Sequence, residues 1–187
     1  HTGDGNNTVQ VKNTLSGIPV TLDGALHGGL DMVMLGANGS VQGLHIAVRI
    51  NNSAVAVTVD DSADTAGRFV LFFEAGAGCG YLDGLSPGGI YYTEANVNSL
   101  YISAGGGVNS FSLVVPPTFT TTLCGGAGGD VLYGPDYPSV WDISSANGGF
   151  LGSVTFSSMA YLAGGNASDL FRLHADGGVS GQIAGGL

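Results

Sequence analysis

Gly125-Gly126-Ala127-Gly128-Gly129-Asp130-Val131-Leu132-Tyr133 fits the pattern G-G-x-G-x-D-x-U-x. In this nonapeptide the glycines make a tight turn, the Asp closes it, and an apolar residue begins the next strand of a parallel β-helix. Weaker copies recur on both sides. Asn7 closes Gly3 to Val9, Asp31 closes Gly28 to Leu35, Asn109 closes Gly105 to Leu113, and Asp169 closes Gly164 to Arg172. The structural turn residues are therefore Asn7, Asp31, Asn109, Gly125, Gly126, Gly128, Asp130 and Asp169. Asn7 to Asp31 is 24 residues, Asn109 to Asp130 is 21, and Asp130 to Asp169 is 39. Those steps suit one coil, one coil and two coils better than a two-residue hairpin.

Between the turns the chain reads as short strands. Val9 and Val11 alternate with Gln10, Val55, Val57 and Val59 repeat the period of two, and Leu44 to Ile50 places four aliphatic residues opposite His45 and Arg49. Ile18 to Leu22, Arg68 to Phe73, Ile90 to Tyr92 and Phe119 to Leu123 are further strands, bounded by Gly, Asn and Asp clusters. No stretch carries a 3.6-residue period. From Glu74 to Ser99 the repeat is lost, as an insertion or irregular coil would lose it. The span Gly5 to Leu35 can be laid on Gly107 to Tyr133, matching Asn7 and Asp31 with Asn109 and Asp130. Gly39 to Gly67 lies loosely on Gly149 to Gly178. The expectation is one all-β domain over 1–187, a parallel β-helix (β-solenoid) of about eight coils, roughly 40 Å long. Its irregular region near 74–99 would separate two diverged superrepeats, approximately 1–73 and 100–187.

Composition agrees with a turn-dense β protein. Glycine reaches 34 residues without a G-X-Y period, proline is modest at 6, and apolar residues make up 44%, which excludes collagen and argues against disorder. Only 4 Lys+Arg stand against 14 Asp+Glu, for a net charge of −10, so nucleic acid and anionic lipid are poor partners. Apolar runs such as Phe69 to Phe73 are far too short to span a membrane. A start at His1 and an end inside another glycine turn suggest a processed chain or a window of a longer one. Cys79 and Cys124 have no CxxC or zinc spacing; the pair reads either as a disulfide or as two separate buried thiols.

Asp31, Asp130 and Asp169, each followed by a strand, together with Val57-Thr58-Val59-Asp60-Asp61-Ser62-Ala63-Asp64-Thr65-Ala66-Gly67-Arg68, resemble the glycine- and aspartate-rich repeats of large bacterial extracellular proteins. These are related in pattern to adhesin-like and repeat-in-toxin-like β-solenoids. The resemblance implies a secreted or cell-surface structural role, with calcium as the usual ion of the toxin repeats. The chain departs from that calcium pattern, because toxin-type sites need tandem nonapeptides and two of the five closing residues here are Asn. Neutral amides are poorer ligands for a hard cation. Asp130 and Asp169 are the calcium candidates of the repeat type, and Asp60, Asp61 and Asp64 form a separate local candidate. The competing reading is that these side chains satisfy turn amides.

Other constellations point away from catalysis. Gly84-Leu85-Ser86-Pro87-Gly88 matches G-x-S-x-G, but Pro87 lacks the N–H an oxyanion hole would use. A polysaccharide lyase would need cations this chain lacks, and no two carboxyls are recognisably placed for a hydrolase. The four histidines show no ligand spacing. Tyr91, Tyr92, Tyr101 and Trp141 are candidates for a sugar-stacking surface or for packing. Thr118, Thr120 and Thr122 alternate outward on one strand. The expectation is a non-enzymatic extracellular structural or adhesive β-solenoid without a required cofactor. Its partners would be copies of itself, neighbouring repeats of a larger chain, or surface glycans. A carbohydrate-active β-helix enzyme and a calcium-dependent adhesion module are the alternatives.

Overall fold

A computed structural model describes residues 5–24, 29–76 and 78–186. Gly3 and Asp4 of the first turn, His27, Gly28, His1 and Leu187 lie outside the described residues. The strands run in chain order as β1 (Thr8–Val11), β2 (Val20–Leu22), β3 (Asp31–Leu35), β4 (Val48–Ile50), β5 (Val55–Asp60) and β6 (Phe69–Gly76). β7 (Cys79–Asp83), β8 (Ile90–Thr93), β9 (Val97–Ser103), β10 (Ser110–Leu113), β11 (Thr120–Cys124) and β12 (Asp130–Tyr133) follow. The last six are β13 (Val140–Ser145), β14 (Gly148–Leu151), β15 (Val154–Ser157), β16 (Met159–Ala163), β17 (Leu170–Leu173) and β18 (Ile183–Ala184). A single 3₁₀ turn, Glu94–Asn96, is the only helical element among the described residues. No helix there is long and apolar enough to cross a membrane.

The strands form two mixed nine-stranded sheets. Sheet A has the order β1-β3-β5-β9-β11-β15-β14-β13-β17, and sheet B the order β18-β16-β12-β10-β6-β7-β8-β4-β2. From β1 to β6 the chain alternates between the sheets, and β1 to β5 each pair in parallel with a strand two elements away. Alternation follows from the strand pattern. A strand such as β3 buries Asp31, Val33 and Leu35 and exposes Met32 and Met34, so it needs a second sheet against its inner face.

Inner side chains stack in rows. In sheet A, Val11, Leu35, Val59, Ile102, Leu123 and Phe156 lie in register on successive strands. In sheet B, Val70, Phe111, Leu132 and Leu162 do the same. All ten are buried. Removing each such side chain from water contributes about 1.5–3 kcal/mol, so the rows supply the main stabilisation of the fold.

The expected purely parallel pairing is corrected by two antiparallel excursions. β6-β7-β8 is an antiparallel meander in sheet B, and it accounts for most of the irregular region near 74–99. β13-β14-β15 is its counterpart in sheet A, within a span the sequence reads as regular. In each meander the chain first lands three positions ahead, leaving room for two strands, and the third strand returns beside the strand that preceded the excursion in that sheet. β6 thus pairs with β10 while β8 pairs with β4. The strand expected over Leu44 to Ile50 is also shorter, beginning at Val48. Leu44 sits at a corner, where its carbonyl accepts the Gly88 N–H and its N–H reaches the Val41 carbonyl. These bonds hold 44–47 out of the sheet.

Candidate functional site

The turn-closing residues make one repeated contact. Asp130 Oδ1 accepts the Asn109 backbone N–H at 2.7 Å and the Asn109 Nδ2 at 3.0 Å. Asp31 Oδ1 accepts the same two donors of Asn7 at 3.0 and 3.1 Å. The sequence overlay of these pairs is therefore also a match of hydrogen bonds, although one pair lies in sheet A and the other in sheet B. Asn109 Oδ1 in turn accepts the Arg68 N–H at 3.0 Å, and Asp169 Oδ1 accepts the Ser139 N–H at 3.1 Å. Asp31, Asn109, Asp130 and Asp169 thus each satisfy an amide from the neighbouring turn, where an unpaired buried N–H would cost about 1–3 kcal/mol.

The calcium candidates are similarly engaged. Asp61, fully buried, accepts the Val41 N–H at 3.0 Å and the Gln42 Nε2 at 3.1 Å. Asp60 accepts the Ser62 N–H, and Asp64 accepts the Ala66 N–H and pairs with Arg68 through both Nε and an Nη. Asp130 and Asp169 lie at different turns, in sheets B and A. Among the described residues no group of three or more His, Cys, Asp or Glu converges as an ion shell would require. Burial pushes the Asp61 and Asp130 carboxyls up, against the hydrogen bonds that lower them. Burial also raises Asp64, but the Ala66 N–H and Arg68 outweigh it and leave that carboxyl below its ordinary value.

The four aromatic candidates are not brought together. Tyr92 and Trp141 face inward and are buried, while Tyr101 lies on the outer face of sheet A beside Cys124 Sγ, 3.5 Å from its hydroxyl. Tyr91 belongs to an outer row of sheet B formed by Arg49, Tyr91, Tyr81 and Phe73 on adjacent strands. Tyr81 and Tyr91 stack at 4.2 Å and 17°, Phe73 meets Tyr81 edge-on, and the Arg49 guanidinium covers Tyr91 at 4.3 Å. The rings stand against one another, so their stacking faces are already occupied. Arg49 therefore has an aromatic partner, whereas His45 lies exposed at the corner before β4.

Cys79 lies in β7 of sheet B and Cys124 in β11 of sheet A; both are free thiols. Ser86 Oγ donates to the Gly88 carbonyl inside the turn between β7 and β8. Thr120 and Thr122 face outward, but Tyr101 separates Thr122 from Thr58 along their cross-strand row.

A feature not recognised in the sequence lies on the outer side of the β13-β14-β15 meander. An open groove of about 760 Å³ is lined by the prolines 116–117, the loop 135–139 and the β13–β14 hairpin with its following turn at 152–153. It gathers four of the chain's 6 prolines, the exposed rings of Tyr137 and Phe150, and Val140. At one end Asp142 Oδ1 lies 3.1 Å from His174 Nε2 and 3.9 Å from Arg172. Asp142 and Arg172 are direct neighbours across β13 and β17. The floor strands, β13 and β14, are interior and paired on both sides. Arg172 and His174 stand two apart, a signal present in the sequence; their partner Asp142 lies 30 and 32 positions upstream of them and carries no motif.

No protein-family model matches the chain, and no match is found among curated proteins or among solved structures.

Proposed function

We propose that the chain is a non-enzymatic β-solenoid of about eight coils with a structural and adhesive role outside the cell. The observation that carries this reading is the uncovered end of sheet A. β17 is its last strand, and Leu170 and Leu173 there are 49% and 57% exposed. An edge strand of this kind offers unpaired amides and apolar side chains to a further strand of the same type. The in-register parallel stacking of alternating strands supports the solenoid, and the amide-closing Asp and Asn side chains support a repeat whose recurring chemistry is architectural. The likeness to glycine- and aspartate-rich bacterial surface repeats belongs to the same reading.

The partner that fits the end is another turn of the same kind, supplied by a second copy or by neighbouring repeats. Low positive charge and glycine-dense turns suit an extracellular matrix or surface assembly. The groove supports adhesion better than hydrolysis, since Asp142 is the one carboxylate among its described lining residues and a hydrolase uses two. Size-exclusion chromatography with light scattering, followed by electron microscopy, tests the assembly. Concentration-dependent rods are expected; a discrete monomer at the highest attainable concentration contradicts self-association.

A further inference from the structure

We infer that the groove over the β13–β14 hairpin is a binding site for a neutral carbohydrate, a deepening that rests on the adhesive reading. A sugar ring has an apolar C–H face and a rim of hydroxyls, so a site for it needs an aromatic platform beside a few fixed polar groups. The groove supplies both. Tyr137 and Phe150 are 54% and 47% exposed without sealing each other as the Tyr81 and Tyr91 rings do. Asp142 offers an acceptor and Arg172 donors in the groove lining, and His174, just outside it, holds Asp142 at 3.1 Å.

The walls are held in place before any ligand arrives. Ser153 Oγ donates to the Pro117 carbonyl, and Ser139 Oγ donates to the Tyr137 carbonyl at 2.9 Å. The Ser139 N–H is held by Asp169. Such preorganisation lowers the ordering cost of binding.

Two observations select a neutral glycan over other occupants. An extended peptide gains affinity by pairing its backbone with a sheet edge or with exposed amides. Here the floor strands β13 and β14 are already paired on both sides, the edge strand β17 contributes only Arg172 to the lining, and Pro116, Pro117, Pro135 and Pro138 have no N–H to offer. A polyuronate is disfavoured because Arg172 already faces Asp142 and the chain carries a net charge of −10.

Isothermal titration with cellohexaose, laminarihexaose and chitohexaose, beside hexagalacturonate and decaproline, tests this. The expected result is binding of at least one neutral hexasaccharide, weakened tenfold or more by Tyr137→Ala or Phe150→Ala and also by Asp142→Asn, with unchanged melting temperatures. Phe69→Ala, an exposed aromatic on sheet B, should leave binding as it is. The inference is overturned if none of the three neutral probes binds, if the groove variants bind like the parent, if Phe69→Ala weakens binding equally, or if only hexagalacturonate or decaproline binds. Because titration is read on the dispersed chain, failure here leaves the assembly result standing, and failure to assemble leaves the groove result standing.

Discussion

Asp130 is fully buried, and its Oδ2 has no hydrogen-bond partner while Oδ1 takes two donors from Asn109. Burial raises its carboxyl above the usual 3.8, so the fold binds this proton more tightly than the unfolded chain does. The stabilising contribution is complete below the unfolded value and is lost as pH rises through the folded one. Asp130→Asn carries no such titration. Its stability relative to the parent should therefore grow as pH is raised from about 4 towards neutrality. Thermal melts at a series of pH values measure this, and parallel curves for the two proteins would refute it. The same residue bears on calcium. With its bonded oxygen directed at a neighbouring turn's amides, addition of calcium or of EDTA should leave the melting temperature within a degree or so. A rise of several degrees with calcium alone would restore the ion to the account.

At the scale of the element, the two meanders mark the largest difference between pattern and structure. The β13–β14 hairpin depends on a close backbone approach at Gly149, where an added Cβ would stand 2.1 Å from the Asp142 carbonyl oxygen and 2.9 Å from Ile143 Cα. Neither neighbour is the free end of a side chain, so Gly149→Ala should destabilise by about 1–3 kcal/mol. Gly106→Ala has no atom within 4 Å of the new methyl and should change stability by less than about 0.5 kcal/mol. Urea unfolding of both variants makes the comparison, and equal midpoints would rule out the crowding argument. In the sequence the two glycines look alike. β5 and β11 are legible from alternation, whereas the direction in which β14 runs is set by its pairing with β13 and β15.

Across the whole molecule, open edges are the feature with consequences. β1 and β17 end sheet A, and β2 and β18 end sheet B. Leu173 is exposed on β17 and contributes little to the buried core, so Leu173→Lys should retain the parent's melting temperature. A charge placed on an edge strand opposes strand addition. Rods formed by the parent should therefore shorten or disappear in the variant under electron microscopy. Unchanged rods would place the contact elsewhere.

The sequence by itself determined the all-β class and laid the pair Asn7 and Asp31 on the pair Asn109 and Asp130. These are local facts: glycine turns, period-two burial and short polar side chains act within a few residues or at a regular sequence spacing. The opening stretch, Gly125 to Tyr133, carried that information, and Asp130 does close a turn while Leu132 lies in an inward row. Only the tertiary structure decided the mixed sheets, the self-packed aromatic row that includes Tyr91, and the groove. Each depends on which strands become neighbours. Asp142 meets Arg172 and His174, and Pro116, Pro117 and Tyr137 line one groove, through pairings between segments with no shared motif, and linear spacing does not encode those distances.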